Sequence, residues 1–199
     1  MSAPLLVLAS ASSARRALLL GAGLRFSVKA STVDEEALKV QLRAGDATPM
    51  VIAAELARAK AVQVSLTEPG LVIGADQTLD LGGALFSKPA TVQDLRAQLC
   101  QLRGQRHSLH SALALASHGQ IVWQTGVSAH LTMRQFSDTF LETYLCEHGD
   151  RVLGCVGGYQ LESAGVQLFD QIEGDYFTIL GLPLTGLLAA LRQFGVVMT

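Results

Sequence analysis

The chain has 199 residues, of which 49% are hydrophobic and 16% are charged, so it can bury a core and is not of the disordered class. Its formal net charge of -2 argues against a broad nucleic-acid-binding face, although a small anionic ligand could still be held by a few local cations. No apolar run approaches the roughly 20 residues of a membrane span. Three irregularly spaced cysteines, Cys100, Cys146 and Cys155, suit reduced, mostly buried thiols. We expect one cytoplasmic domain over residues 1–199, with neither a nucleic-acid polymer nor a membrane as partner.

The N-terminal part predicts a strand, a hydroxyl-rich turn and a helix. Residues 5–8 form a short apolar run, and SASSARR follows it. Ser12 or Ser13 would cap a helix over residues 14–20, which ends near Gly21 or Gly23. A helix start with adjacent arginines suits an anion, but a capped helix with solvated arginines explains the same residues.

A second strand is predicted at residues 26–30, and three acids follow at Asp34, Glu35 and Glu36. These acids are typical of a helix start, and they could also supply a ligand for a hard metal ion. Thr48 with the following proline predicts another helix, which runs to about residue 66. Lys60 lies on the same helical stripe as two apolar residues, so it either reaches the edge of the core or points into a cleft.

Residues 71–89, LVIGADQTLDLGGALFSKP, predict a buried strand followed by a hairpin. The apolar run ends at Gly74, and Asp76 lies just beyond it. Lys88 closes the second arm of the hairpin. An acid and a cation framed by glycines suggest a metal-assisted phosphate site, and a surface hairpin with ordinary charges is the alternative.

Later elements follow from local signals. Thr91 and Asp94 resemble a capping box that starts a helix to about residue 102. Two long strands are predicted at residues 105–116 and 121–132, around a turn at His118-Gly119. Ser137 begins a helix to about residue 148, and residues 184–194 form a final amphipathic helix. The glycine-rich tail has neither GxGxxG nor GxxxxGK[ST], so it predicts neither a Rossmann nor a P-loop site.

Six short motifs in order cover nearly the whole chain: LASASSARRALL, VDEE, LARAKA, IGADQ followed by SKP, GGYQLESAG, and IEGDYFTILGLPL. In this combination the chain resembles the Maf family of nucleoside triphosphate pyrophosphatases. The resemblance implies an α/β fold of the Maf/ITPase-like type, with a mixed, elongated, twisted sheet, flanking helices and two lobes around a central cleft. It also implies hydrolysis of a modified or noncanonical nucleoside triphosphate to the monophosphate and pyrophosphate, a divalent cation (Mg²⁺ or Mn²⁺) and a homodimer.

Site residues are implied by position in the same motifs. Asp76 matches the family's catalytic acid, the proton acceptor for the attacking water, and with Glu35 it would hold the metal. Four further positions match phosphate contacts: Ser10, Arg15, Lys60 and Lys88. The chemistry fits these roles, because attack at an α-phosphate builds negative charge that cations and a metal must neutralise. Whether Asp76 acts chiefly as base or as metal ligand stays open.

Three family positions tied to base choice fall on Ala14, Gln77 and Glu162. The branch that acts on dTTP and UTP usually carries Arg, Thr and Gln there, whereas the 7-methyl-GTP branch resembles this chain at Gln77 and Glu162. An ionised Glu162 accepts hydrogen bonds and suits the N1–H and N2–H donors of guanine. The 7-methyl-GTP branch often has Trp where this chain has Ala14, so a ring that could stack on the base is missing. The resemblance favours 7-methyl-GTP, with dTTP or UTP as the alternative.

The chain departs from the family pattern at two places. Ser13 replaces a common proline, and residues 107–112, HSLHSA, replace H-x-V-x-T-G. Neither departure removes a charged group, so we expect activity to survive. A different class of function, a nucleotide-binding regulator of septum formation or cell division, is also compatible with the family's name.

Overall fold

One mixed seven-stranded sheet runs through the structure, a computed structural model that describes residues 5–198. Its order is β2-β1-β3-β5-β6-β7, and β4 pairs with β3 beside this path. β1 is parallel to β2 and β3, and all other pairs are antiparallel. The strands are β1 (Leu6–Leu8), β2 (Ser27–Val28), β3 (Leu71–Leu81), β4 (Ala84–Phe86), β5 (Arg106–Ser117), β6 (Gln120–Met133) and β7 (Phe169–Glu173). The predicted mixed α/β fold is confirmed; of the predicted domain, residues 1–4 and 199 lie outside the described part.

Helices flank the sheet and begin where local signals place them. They are α1 (Ser13–Gly21), α2 (Glu35–Ala44), α3 (Pro49–Ser65), α4 (Val92–Leu102), α5 (Asp138–Val152), α6 (Tyr176–Ile179) and α7 (Leu184–Gln193), with a 3₁₀ turn at Ala164–Leu168. The side chains of Ser12, Thr48 and Ser137 each accept a backbone N–H of the first turn, and Thr91 forms a complete capping box. The predicted helix starts are confirmed, while α5 runs four residues beyond the predicted end.

Two hairpins have two-residue loops with left-handed backbone. His118 and Gly119 have φ of 50° and 77°, and Gly82 and Gly83 have φ of 59° and 91°. Two successive positive φ angles give the turn whose twist matches that of the flanking strands. Both predicted hairpins are therefore confirmed.

Strand β3 is longer than predicted. The prediction ended the strand at Gly74, but pairing with β5 continues from Val72 to Asp80. Gly74 is a site of close approach rather than a terminator, because a Cβ there would lie 2.1 Å from the carbonyl oxygen of Ala57 on α3. Asp76 consequently lies in the middle of a paired strand.

Apolar side chains form two large clusters. One, the α4–α5 cluster, combines Leu95, Leu99, Leu102, Leu141, Tyr144 and Leu145 with Leu79, Leu109 and Leu131 of the sheet. The other, the α1–α7 cluster, combines Leu19, Leu184, Leu187 and Leu191 with Leu6, Leu8, Ile73 and Leu113. The two clusters thus lie on different parts of one sheet, and the division into two lobes stays a prediction.

Helix α3 packs closely on the sheet through small residues. Ala53, Ala57 and Ala61 of α3 meet Ala112, Ala114 and Ala116 of β5 with almost no exposed surface. Short side chains on both sides let the helix backbone approach the strands, and this approach brings Lys60 within reach of β3.

The sequence did not predict strand β7 or helix α6. Strand β7 is mostly exposed and pairs with the end of β6, and α6 has only four residues. The three cysteines are free thiols, but Cys146 is exposed and the other two are half-buried, so the expectation of mostly buried thiols is wrong. No helix within residues 5–198 has the length and apolar character needed to cross a membrane.

Candidate functional site

All the predicted site residues line one cleft of about 510 Å³. Its walls come from α1, α2, α3, β3, the segment after β4, and the glycine-rich segment after α5. The residues brought together are Ser10, Ala14, Arg15, Glu35, Lys60, Asp76, Gln77, Lys88 and Glu162. Their proximity makes one site possible, and the role of each stays a prediction.

Lys60 joins the two predicted metal ligands at the bottom of the cleft. Its Nζ lies 2.5 Å from Oδ1 of Asp76 and 2.8 Å from Oε1 of Glu35. Lys60 and Asp76 are only 7% and 6% exposed, whereas Glu35 is half-buried. A buried acid and a buried cation are expected to pair in this way.

The local sequence explains this contact. Ile52, Leu56 and Lys60 are spaced by four on α3, and the first two are fully buried against the sheet. Gly74 and Asp76 share one face of β3 because strand side chains alternate. Since Gly74 lets α3 approach, the Asp76 carboxylate two residues later meets the Lys60 ammonium. The interpretation of Lys60 as a cation directed into a cleft is therefore confirmed.

Glu35 is held in its charged form. Burial alone would raise the pKa of its carboxyl group, but the hydrogen bond and the positive charge of Lys60 outweigh that effect. Lys88 and Lys39 add to it, so the pKa of Glu35 lies below its ordinary value. The helix-start prediction is confirmed, because Asp34 caps α2, while Glu35 lines the cleft and its role as a metal ligand stays a prediction.

Arg15 is fixed by the backbone around it. Its Nε donates to the carbonyl of Gly181 at 2.9 Å, and its Nη1 donates to the carbonyl of Ala75 at 2.9 Å and to Oγ of Ser10 at 3.1 Å. Burial lowers the pKa of the Arg15 guanidinium, opposed by the charges of Asp76 and Glu35. An arginine pre-oriented in this way can bind phosphate without first losing rotamer freedom.

The side-chain amide nitrogen of Gln77 forms hydrogen bonds within the protein. Nε2 lies 2.9 Å from Oγ of Ser111, 3.1 Å from the carbonyl of Thr178 and 3.0 Å from that of Ile179. Ser111 gives its own hydrogen to the Thr178 carbonyl, so all three neighbours act as acceptors toward Gln77. This environment fixes the amide orientation, and the carbonyl oxygen Oε1 has no hydrogen bond within residues 5–198.

Lys88, Glu162 and Ala14 lie at more open parts of the cleft. Lys88 and Glu162 are exposed, and within residues 5–198 neither side chain has a hydrogen bond or ion pair. Ala14 is half-buried at the start of α1. Exposed, unpaired charges at a cleft can meet a ligand without breaking an existing contact.

Three further cations, which were not predicted from the sequence, also line the cleft: Lys39, Arg43 and Arg151. With them the lining has six Lys or Arg side chains against four Asp or Glu, although the chain as a whole is acidic. The two on α2 could have been found, because Glu35, Lys39 and Arg43 follow each other at intervals of four.

Residues 107–112 of β5, which differ from the family pattern, contact other residues of the protein. Nε2 of His107 lies 2.7 Å from the hydroxyl of Tyr159, which lines the cleft. His110 contacts Ser128 through Nδ1 at 2.8 Å, and Ser111 binds Gln77. This segment therefore supports the cleft walls.

A divalent cation fits the donor set only with help from a substrate. Among residues 5–198 there is no group of three or more His, Cys, Asp or Glu side chains that could hold a metal by themselves. Glu35 and Asp76 lie near each other because both contact the Lys60 ammonium, and Mg²⁺ commonly uses one or two carboxylates together with water and substrate phosphates. The predicted ligand pair is compatible with that mode.

The chain matches the Maf-like protein family over residues 5–194. It belongs to the Maf family. A relative from Caulobacter vibrioides, called nucleoside triphosphate pyrophosphatase, is 53% identical over 98% of both chains. A relative from Rhizobium meliloti, called 7-methyl-GTP pyrophosphatase, is 47% identical over 98% of both chains. Among solved structures, a HAM1 protein from Coxiella burnetii is similar at 18% identity and a TM-score of 0.41, covering 66% of this chain and 73% of that chain.

Proposed function

We propose that this protein hydrolyses a nucleoside triphosphate to the monophosphate and pyrophosphate. The carrying observation is the Glu35–Lys60–Asp76 arrangement beside the fixed guanidinium of Arg15, all within one cleft. The names of the two relatives support the same reaction class. An acid and several cations within one cleft are what attack at an α-phosphate requires.

The reaction assigns a distinct task to each group. Water attacks the α-phosphorus, and Asp76 accepts its proton as the new P–O bond forms. Oδ1 of Asp76 is bonded to Lys60, while Oδ2 has no hydrogen bond with residues 5–198 and can receive the proton. The bond from the α-phosphorus to the bridging oxygen breaks, and its electron pair leaves with pyrophosphate. Arg15 and Lys88 bind the phosphate oxygens as negative charge moves onto them.

Mg²⁺ or Mn²⁺ belongs to this proposal, with Glu35 and Asp76 as its protein ligands. The bound cation would neutralise charge on the phosphate oxygens. Near the start of α1, where the helix end favours an anion, Ser10 Oγ accepts hydrogen bonds from Ser12 N–H and Arg15 Nη1, so its own hydroxyl hydrogen can be donated to a phosphate. A homodimer and a cytoplasmic location are likewise proposed, from the family resemblance.

For the base we favour 7-methyl-GTP. Gln77 offers only its carbonyl oxygen to the cleft, and Glu162 offers only carboxylate oxygens. Two acceptors suit the N1–H and N2–H donors of guanine better than a pyrimidine, which needs a donor as well. A negative Glu162 also complements the positive charge of the methylated ring. The alternative within the family is dTTP or UTP.

A panel of canonical and modified nucleoside triphosphates tests the proposal, with Mg²⁺ or Mn²⁺ present. Products are separated and scored for monophosphate, pyrophosphate and orthophosphate. Pyrophosphate and monophosphate in equal amounts, formed fastest from 7-methyl-GTP, are the expected result. Orthophosphate as the first product would overturn the reaction, and preference for dTTP or UTP would overturn the base assignment alone.

A further inference from the structure

Helix α2 presents cations to the cleft beyond its catalytic end. Lys39 and Arg43 lie one and two turns after Glu35 on the same helix face, and all three line the cleft. At about 1.5 Å per residue, Arg43 is about 12 Å farther along the helix axis than Glu35. The cationic face therefore starts beside the Lys60–Asp76 pair and continues outward along one wall.

Pairing within the protein does not account for these two side chains. Arg43 has no side-chain hydrogen bond or ion pair anywhere in residues 5–198. Lys39 contacts Glu36 at 2.7 Å, but Glu36 is largely exposed and such pairs are weak. The Glu36 contact therefore leaves Lys39 able to bind a ligand in the cleft that it lines.

Packing does not account for them either. No residue of α2 is buried, and Val40, between the two cations, is 69% exposed. The helix is held at its start by the Asp34 cap and the Glu35–Lys60 ion pair. Just before it, Gln63 of α3 binds the side chain of Ser31 and the backbone of Thr32. The cations thus stand on a helix that contributes little to the core.

We infer that Lys39 and Arg43 bind the diphosphate portion of the ligand, both the two outer phosphates of a triphosphate and the pyrophosphate product. The inference rests on the proposed function for its place in turnover. Two cations along one wall match a diphosphate, which carries several negative oxygens spread over two phosphorus atoms. Lys39 and Arg43 lie beyond the end of the cleft that holds Asp76. They therefore contact the leaving pyrophosphate group and not the α-phosphate.

Binding of inorganic pyrophosphate, measured by calorimetry with Mg²⁺ present, tests this inference without any turnover. The variants are Arg43→Gln and the double variant Lys39→Gln/Arg43→Gln. Arg25→Gln is the matched control, because Arg25 is exposed and unpaired in the described residues but does not line the cleft. We expect about tenfold weaker binding for Arg43→Gln and a further loss in the double variant, with a smaller dependence on salt concentration.

Kinetics of the same variants supply the second readout. With the best triphosphate, Arg43→Gln should raise KM or lower kcat/KM about tenfold, while thermal unfolding stays that of the control. Pyrophosphate binding equal to that of Arg25→Gln would overturn the inference, even if the wild-type protein turns over normally. Conversely, loss of binding in Arg43→Gln from a wild-type protein that releases no pyrophosphate would uphold this subsite and overturn the proposed function.

Discussion

The ammonium of Lys60 lies 2.5 Å from a carboxylate oxygen of Asp76, and both side chains are almost completely buried. One comes from the middle of α3 and the other from the middle of β3. This pair ties the helix to the sheet and also holds the acid that the proposed reaction needs. Stability and activity should therefore respond to different changes at the same two positions.

Asp76→Asn should lower pyrophosphate release about 100- to 10,000-fold, because the amide cannot accept the proton of water. Nucleotide binding, measured by calorimetry, should be largely kept, since Arg15 and Lys88 remain. Asp170→Asn, at an exposed position of β7 outside the cleft, is the control. Turnover near that of the wild type would remove Asp76 from the catalytic role.

Lys60→Met should lower the free energy of unfolding by about 3 kcal/mol, because it leaves the buried Asp76 carboxylate without its partner. The double variant Lys60→Met/Asp76→Asn should be less destabilised than Lys60→Met alone, since the uncompensated charge is gone. Urea unfolding of the wild type, Lys60→Met, Asp76→Asn and the double variant measures the coupling free energy between the two side chains. Additive effects of the two substitutions would contradict a direct interaction.

Gly74→Ala should lower the free energy of unfolding by about 1–3 kcal/mol, because the new Cβ meets the Ala57 carbonyl oxygen and Ala61. It should also reduce activity by moving α3 away from Asp76. Gly21→Ala is the comparison, as nothing lies within 4 Å of its Cβ position. That variant should be as stable as the wild type or more stable by up to about 1 kcal/mol. Equal stability of both variants would contradict the close approach.

His107 should make stability depend on pH below neutrality. Burial lowers its pKa from 6.5 to about 4, so between these values the unfolded chain binds more protons than the folded one. Stability is then full above pH 6.5 and falls on acidification toward pH 4, by up to about 3 kcal/mol.

His107→Gln keeps a hydrogen-bonding group near Tyr159 but cannot titrate, so that part of the pH dependence should disappear. Urea unfolding at pH 7 and pH 4.5 gives the comparison, and His118→Asn on the exposed β5–β6 turn is the control. An unchanged pH slope in His107→Gln would show that other groups cause the acid sensitivity.

Glu162→Gln should weaken guanine-type substrates more than pyrimidine ones, because it replaces one acceptor oxygen by a donor and removes a negative charge. The ratio of kcat/KM for 7-methyl-GTP and UTP measures the change. Glu147→Gln, exposed on α5 outside the cleft, should leave the ratio unchanged. An equal loss for both substrates would mean that Glu162 does not distinguish the bases.

Elements with local signals were predictable and elements with distant partners were not. The caps at Ser12, Thr48, Thr91 and Ser137 fix helix starts within a few residues of sequence. Strand β7 depends on pairing with β6, so its exposed residues carry no pattern of their own. Gly74 was misinterpreted for the same reason, because only the packing of α3 reveals why a glycine is needed there.

The site divides in a similar way. The order of the motifs predicted that the site residues share one site, and they line one cleft. It could not predict which groups the Gln77 side chain contacts. Its amide binds carbonyls of Thr178 and Ile179, about a hundred residues later in the chain. Arg15 likewise depends on the carbonyl of Gly181. Such contacts arise only when the chain has folded, whereas the cationic face of α2 is visible in the sequence at helical spacing.

The two apolar clusters have a mechanical consequence for the cleft. Strand β3 carries Ile73 into the α1–α7 cluster and Leu79 into the α4–α5 cluster, and β5 does the same with Leu113 and Leu109. The two sides are thus joined by an unbroken hydrogen-bonded ladder instead of a flexible peptide. Asp76 lies between them on that ladder, so twisting of the strands would change the width of the cleft around it. Helix α2 belongs to neither cluster and has no buried residue, so little packing holds this wall of the cleft in place.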